Sequence, residues 1–281
     1  MEPANVMIGD RNSFFSRLKE DVPSAVLLRC ICHSAALIVN KACDMLPSEL
    51  EDLMREVYTY IGGSSKRCDQ LKEMQEYFCM KHHKILKVSG TRWLSTHQCV
   101  ERLLSNWEVL KAYFEIAFFE DKLNSANHIL QKLKDPKIKT HFEFMKYALN
   151  YLNSFNALFQ SKTTLIHSLQ KESKRLLLQL CQNFIKPNVL KENNLNLSLI
   201  QPSNYLEIEH VYVGTDCLNI LNTMNAYDQK EIRLNILKFY ICAAQEMIKR
   251  LPINNNLFSE LEFLLPKFAF VQSVQKLREW Y

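Results

Sequence analysis

Apolar residues recur every three or four positions along most of the chain, which is the spacing of amphipathic α-helices. The stripes predict helices over residues 13–19, 33–46, 48–62, 66–82, 95–118, 126–134, 138–159, 165–185, 229–250 and 257–265. Two of the predicted helices, those at 48 and 95, begin with Ser followed three positions later by Glu or Gln, the spacing of a capping box. The helices differ in length and share no fixed repeat, so the pattern favours an irregular helical bundle over a solenoid.

Residues 25–45 combine two hydrophobic periods. Val26, Leu27 and Leu28 form a short apolar run that predicts a buried strand continuing to His33, where the spacing changes to that of a helix. A strand that leads into a helix is typical of a mixed α/β domain. We therefore predict the remnant of a mixed α/β domain at 1–46 and an all-helical domain at 47–281. The second domain should contain a loop near 188–204, where Asn, Ser and Pro cluster.

The composition narrows the class of protein. The chain has 281 residues, 47% of them hydrophobic, which is enough for a sizeable core, and its 5 Gly and 8 Pro argue against β-sandwich, collagen-like and disordered proteins. The net charge of +5 permits nucleic-acid binding without requiring it. Nine cysteines without framework spacing, no leading signal peptide and no long apolar run indicate a protein of a reducing compartment that does not enter a membrane.

Motifs for small-molecule chemistry are absent from the sequence, which has no phosphate-binding glycine loop, no G-x-S-x-G and no H-E-x-x-H. Two groups contain metal-ligand residue types, Cys30-Cys32-His33 and Cys79-His82-His83. In a strand, Cys30 and Cys32 would share one face while His33 would lie on the other, so the three would not converge on a tetrahedral ion. We therefore expect buried thiols and surface imidazoles, with no metal, no cofactor and no small-molecule substrate.

Arg92 and Trp93 lie between a glycine break and a predicted helix, where a loop can present side chains to a partner. An indole ring can stack on a base and a guanidinium can bind phosphate. Lys84 and Lys87 precede them and could contact a nucleic-acid backbone. The alternative is that Trp93 is a core residue at a helix start and that the lysines belong to a solvated turn.

Three segments together carry a resemblance to a known family. The stretch Ala4-Asn5-Val6-Met7-Ile8-Gly9 resembles the D-G-A-x-x-M-x-G segment of transposases of the hAT superfamily, in the branch of domesticated genes that includes zinc-finger BED-type and SCAN-domain proteins. Cys30-Ile31-Cys32-His33 resembles the family's C-x-x-H, and Thr91-Arg92-Trp93-Leu94-Ser95 resembles its T-R-W-x-S motif. The order and spacing of the three segments also resemble those of the family.

The resemblance implies an RNase H-like fold that is interrupted by a large helical insertion domain, and a location in the nucleus. Active members of the family cut DNA with an Asp, Asp, Glu triad that holds two divalent ions. The family's C-x-x-H lies near that site and corresponds to Cys30 and His33. Its Arg-Trp pair holds the cleaved DNA end, with the Trp stacked on a base, and corresponds to Arg92 and Trp93.

The chain departs from the family at the catalytic positions. Glu2 followed by Pro3 stands where the family has its second Asp and a Gly, the first Asp would lie upstream of Met1, and the last Glu would follow Tyr281. We therefore expect a catalytically inactive, nuclear binding module whose partners are DNA or other transposase-derived and nuclear proteins. The alternative is a helical protein-interaction scaffold with no nucleic-acid role, in which Trp93 would be buried.

Overall fold

The computed structural model describes residues 5–9, 12–88, 93–121, 123–160, 165–192 and 195–261, and within these ranges it is built from α-helices and short 3-10 turns. The helices are α1 (Asn5–Ile8), α2 (Phe14–Asp21), α3 (Ile31–Cys43), α4 (Glu49–Gly62), α5 (Ser65–Tyr77), α6 (Trp93–Ser105), α7 (Trp107–Asp121), α8 (Asn124–Lys134), α9 (Pro136–Phe159), α10 (Leu169–Cys181), α11 (Pro187–Glu192), α12 (Thr215–Leu221), α13 (Ala226–Arg250) and α14 (Asn256–Glu260). The prediction of a mainly α protein is confirmed.

The long helices α9 and α13 organise the hydrophobic core. Helix α13 packs along α3, and α9 packs against α6 and α12, while α7 pairs with α8, which also contacts α9. The apolar stripe predicted for α4 is buried as expected, since Leu50, Leu53, Met54, Val57 and Ile61 are all in the core. Helix α3 contributes Ile38 and Ala42 to the same core. The predicted division into two domains at residue 46 stays a prediction.

The strand predicted at Val26–His33 is wrong. Residues 25–30 are irregular, and α3 begins at Ile31, so His33 lies in the first turn of a helix. Val26 and Leu28 expose 51% and 44% of their surface. An extended run becomes a strand only when a neighbouring strand accepts its backbone hydrogen bonds, and the described residues contain one isolated bridge, between Ile185 and Tyr205.

The single helix predicted over 95–118 is two helices in the structure, α6 and α7, separated at Asn106. Both capping-box predictions are also wrong. Ser48 precedes α4 but accepts no capping hydrogen bond, and α6 already begins at Trp93, which places Ser95 inside the helix. The predicted loop at 188–204 contains α11 and two 3-10 turns, Leu197–Leu199 and Pro202–Asn204, so it is more ordered than its composition indicated.

A single residue, Asp135, joins α8 to α9. Its backbone N–H bonds to the Gln131 carbonyl oxygen at 3.1 Å, which closes α8, and its side chain accepts from the Lys137 N–H at 2.8 Å, which caps α9. Pro136 follows at the first position of α9, where a residue without an N–H is favoured. Within the described part of the chain, no helix is both long and apolar enough to cross a membrane.

Candidate nucleic-acid interface

Helix α5 ends in a turn that leads the chain into a segment with neither helix nor strand. The Met80 N–H bonds to the Gln75 carbonyl oxygen at 2.8 Å and the Cys79 N–H bonds to the Glu76 carbonyl oxygen at 2.9 Å, the two hydrogen bonds of a Schellman motif. Cys79 therefore occupies the left-handed position, with φ +53°, that glycine usually takes. The helix thus ends before the predicted position 82.

We call residues 81–87 (Lys-His-His-Lys-Ile-Leu-Lys) the basic segment. Its residues belong to neither a helix nor a strand, and its lysines Lys81, Lys84 and Lys87 are all exposed. Ile85 and Leu86 are half-buried and pack on the core. The apolar residues therefore fix the segment to the protein while the three ammonium groups face solvent.

The side chain of Gln75 holds the beginning of the basic segment. Gln75 is fully buried, and its Nε2 donates to the Asn106 Oδ1 at 2.7 Å and to the His83 carbonyl oxygen at 3.0 Å. Its Oε1 accepts from the His83 N–H at 3.3 Å and lies 2.9 Å from the His82 Nδ1. Asn106 in turn donates to the Arg102 carbonyl oxygen at 2.8 Å. One polar side chain thus connects the basic segment to the break between α6 and α7.

The basic segment lies in a positive field. Arg102 of α6 lines a small crevice with Ile85 and Leu86, so its guanidinium adds to the charge of the segment. Desolvation and the neighbouring charges of Arg102 and Lys81 lower the pKa of His83, which is the effect that clustered cations have on an imidazole. In the part of the chain that the structure describes, Lys81, Lys84, Lys87 and Arg102 form no salt bridge with a carboxylate.

The remaining predicted site residues are placed as follows. Arg92 and Glu2 lie outside the described residues, and only the backbone of Trp93 is described, at the first position of α6. Cys30 is exposed and precedes α3, and His33 is half-buried in its first turn. No described hydrogen bond or ion pair links Cys30 or His33 to Lys84 or Lys87.

The two groups with metal-ligand residue types do not converge in the structure. Burial and the adjacent Cys30 thiol raise the pKa of Cys32. The Cys32 side chain also forms a hydrogen bond with the side chain of Gln160, which follows the end of α9. Across the described residues, no group of three or more His, Cys, Asp or Glu side chains is arranged to hold a metal ion.

Sequence reasoning missed Gln75, Asn106 and Arg102. The signal for Gln75 was a polar residue four positions after Leu71 on the buried face of a predicted helix, and Asn106 likewise interrupts an apolar stripe between Leu103 and Leu110.

No protein-family model matches the chain, and no solved structure matches it. The function is therefore inferred from the chemistry of these residues and from the motifs of the sequence.

Proposed function

We propose that this protein is a nucleic-acid-binding module derived from an hAT-superfamily transposase and acting in the nucleus, and that the basic segment is part of its binding surface. The observation that carries the proposal is the exposure of Lys81, Lys84 and Lys87 on a segment that Ile85, Leu86 and the Gln75 side chain fix to the protein. Three exposed ammonium groups without carboxylate partners match the regularly spaced phosphates of a nucleic-acid strand. The RNase H-like ancestry and the insertion-domain origin of the helices are part of the same proposal.

The residues of the T-R-W-x-S motif complete the proposed surface. Thr91-Arg92-Trp93 follow the basic segment closely in the sequence. We propose that Arg92 binds a phosphate and that Trp93 stacks on an unpaired base, with Cys30 and His33 at a second, separate part of the surface. The proposal includes no catalytic step, and DNA is the partner to test first.

Fluorescence anisotropy of labelled duplex, hairpin and single-stranded DNA across a salt series tests the proposal. Because each phosphate contact contributes a slope of about 0.7 to 0.9 to the log–log salt dependence, Lys84→Ala/Lys87→Ala should reduce the slope by about 1.4 to 1.8. Arg102→Ala should reduce it by about 1. The control Lys230→Ala/Lys238→Ala removes two exposed lysines of α13 that form no described salt bridge and should leave the slope unchanged.

Trp93→Ala separates stacking from charge. The substitution removes no charge, so the salt slope should stay the same while affinity for single-stranded or hairpin DNA falls by about 1 to 3 kcal/mol. Absence of binding at low salt, or equal loss in the Lys84/Lys87 and Lys230/Lys238 variants, would refute the proposal. That result would favour the helical protein-interaction scaffold.

A further inference from the structure

A second surface feature, distinct from the basic segment, is a cleft of about 430 Å³ between α6, α9 and the turn that precedes α12. Tyr147, Tyr151 and Tyr212 line it. The ring of Tyr147 lies 5.2 Å from that of Tyr151 at an angle of 88° and 5.4 Å from that of Tyr212 at 78°. The cleft is therefore lined by aromatic rings set at nearly right angles.

Hydrogen bonds fix the orientation of these rings. The Tyr147 hydroxyl donates to the buried Asn183 Oδ1 at 2.9 Å, so the Tyr151 hydroxyl, 2.6 Å away, is the donor to Tyr147. The backbone also approaches Tyr147 closely at Gly214, which has φ +90° and where an added Cβ would lie 2.8 Å from the Tyr147 Cγ. The walls of the cleft are thus preorganised, which lowers the entropy cost of binding a ligand.

Carboxylates give the cleft a negative charge, although the whole chain carries a net charge of +5. Glu101, Glu143 and Asp216 line it against one cation, Lys146. The Lys146 Nζ lies 3.0 Å from the Asp216 Oδ2 and 3.5 Å from the Glu143 Oε2, and the bond to Asp216 raises the pKa of Lys146. The cleft therefore already stabilises one ammonium group.

One nitrogen of a buried imidazole in the lining has no hydrogen-bond partner among the described residues. His97 exposes only 5% of its surface, and its Nε2 forms no hydrogen bond with the described residues. The Glu101 Oε2 lies 3.6 Å from the His97 Nδ1, and Glu101 has no described Lys or Arg partner. The Asn153 Nδ2, an amide donor, also lies 3.4 Å from the His97 Nδ1, so the described polar neighbours of this imidazole lie at Nδ1 and not at Nε2.

We propose that this cleft binds an alkylammonium cation, supplied either by a small amine or by a lysine side chain of a peptide. Aromatic faces attract cations through their quadrupoles, and the attraction is stronger where carboxylates add to it. The volume is in the range of sites that hold small ligands, and the net negative charge disfavours anions. This proposal does not depend on nucleic-acid binding, because no residue that lines the cleft belongs to the nucleic-acid surface proposed above.

Isothermal titration calorimetry of the full chain at low salt tests the proposal. Choline, spermidine and a lysine-containing peptide are titrated, with the neutral carbon isostere of choline and the acetyl-lysine peptide as matched ligands. Saturable binding of a cation without binding of its neutral counterpart is the expected result. Choline or spermidine binding more tightly than the peptide identifies a small amine as the source, and the reverse order identifies a peptide. No saturable binding of any cation would overturn the proposal.

Two substitutions should weaken cation binding and a third should strengthen it. Glu101→Gln and Tyr212→Leu should each weaken cation binding by about fivefold, because one removes a charge and the other an aromatic face. Lys146→Gln should strengthen it severalfold, because it removes the cation that occupies Glu143 and Asp216. Urea unfolding of each variant checks that the fold is intact.

The controls are exposed residues far from the cleft in the sequence, Glu73→Gln on α5 and Tyr227→Leu on α13, which should bind as the unmodified chain does. Unchanged affinity in Glu101→Gln and Tyr212→Leu would overturn the proposal. So would weaker binding in Lys146→Gln, because loss of a competing ammonium cannot reduce affinity at a cation site.

Discussion

Replacement of Gln75 by methionine tests whether one buried amide holds the basic segment in place. Methionine has a similar length and shape but cannot form hydrogen bonds. The substitution removes the donors to the Asn106 Oδ1 and the His83 carbonyl oxygen, and the acceptor of the His83 N–H. His82 is exposed, so water replaces its bond at little cost.

The expected cost follows from the two acceptors that lose their donor. Asn106 is fully buried, and a buried acceptor without a donor costs about 1 to 3 kcal/mol. The half-buried His83 backbone recovers part of its loss from water, so we expect Gln75→Met to lower the free energy of unfolding by about 3 kcal/mol. The same change should weaken the proposed DNA binding, because the backbone that carries the three lysines would then be less firmly held.

Urea unfolding provides the measurement, with Asn106→Leu and the double variant completing a double-mutant cycle. Because removing both partners leaves fewer unsatisfied groups than removing one, the coupling energy should exceed about 1 kcal/mol. Amide hydrogen exchange should also become faster at His83, whose N–H bonds to the Gln75 Oε1 that the substitution removes. A cost below about 1 kcal/mol for Gln75→Met, with unchanged exchange, would refute the role given to this residue.

Three further predictions concern backbone geometry and pH. Cys79→Gly should raise the free energy of unfolding by about 1 kcal/mol in urea titrations, since φ +53° strains an L residue; a loss of stability would contradict this. Gly214→Ala should cost about 3 kcal/mol in the same assay, from its positive φ and the contact with Tyr147. Burial lowers the pKa of His141, whose Nδ1 lies 2.8 Å from the Lys137 carbonyl oxygen. The unfolded chain then binds the proton more readily, so stability should fall as pH drops below about 6.5, and His141→Gln should flatten that decline.

The helices could be predicted from the sequence because apolar spacing decides which face of a helix is buried. Phe142, Met145 and Leu149 of α9 lie in the core where their spacing placed them. Val26–Leu28 could not be assigned in the same way, since a short apolar run has the same appearance with or without a partner strand. The break at Asn106 depends on Gln75, which is 31 residues away, and no local pattern contains that information.

The candidate interface was predicted in part. The exposure of Lys84 and Lys87 follows from their alternation with apolar residues, which the sequence shows directly. The contribution of Arg102 depends on how α6 packs beside the basic segment. The tyrosine cleft likewise assembles residues from three separate elements, so neither its charge nor its shape has a signature in one stretch of sequence.

The one-residue joint at Asp135 determines where this chain can change in length. Asp135 has an extended backbone, so an added residue there would change the direction and the rotation of α9 relative to α8. The burial of Phe142 and Leu149 depends on that geometry, so we expect this junction to keep a constant length among related sequences. The stretch between α10 and α12 contains α11 and short 3-10 turns, and insertions or deletions among related sequences should be tolerated best at its exposed turns, such as the one at Pro202–Asn204.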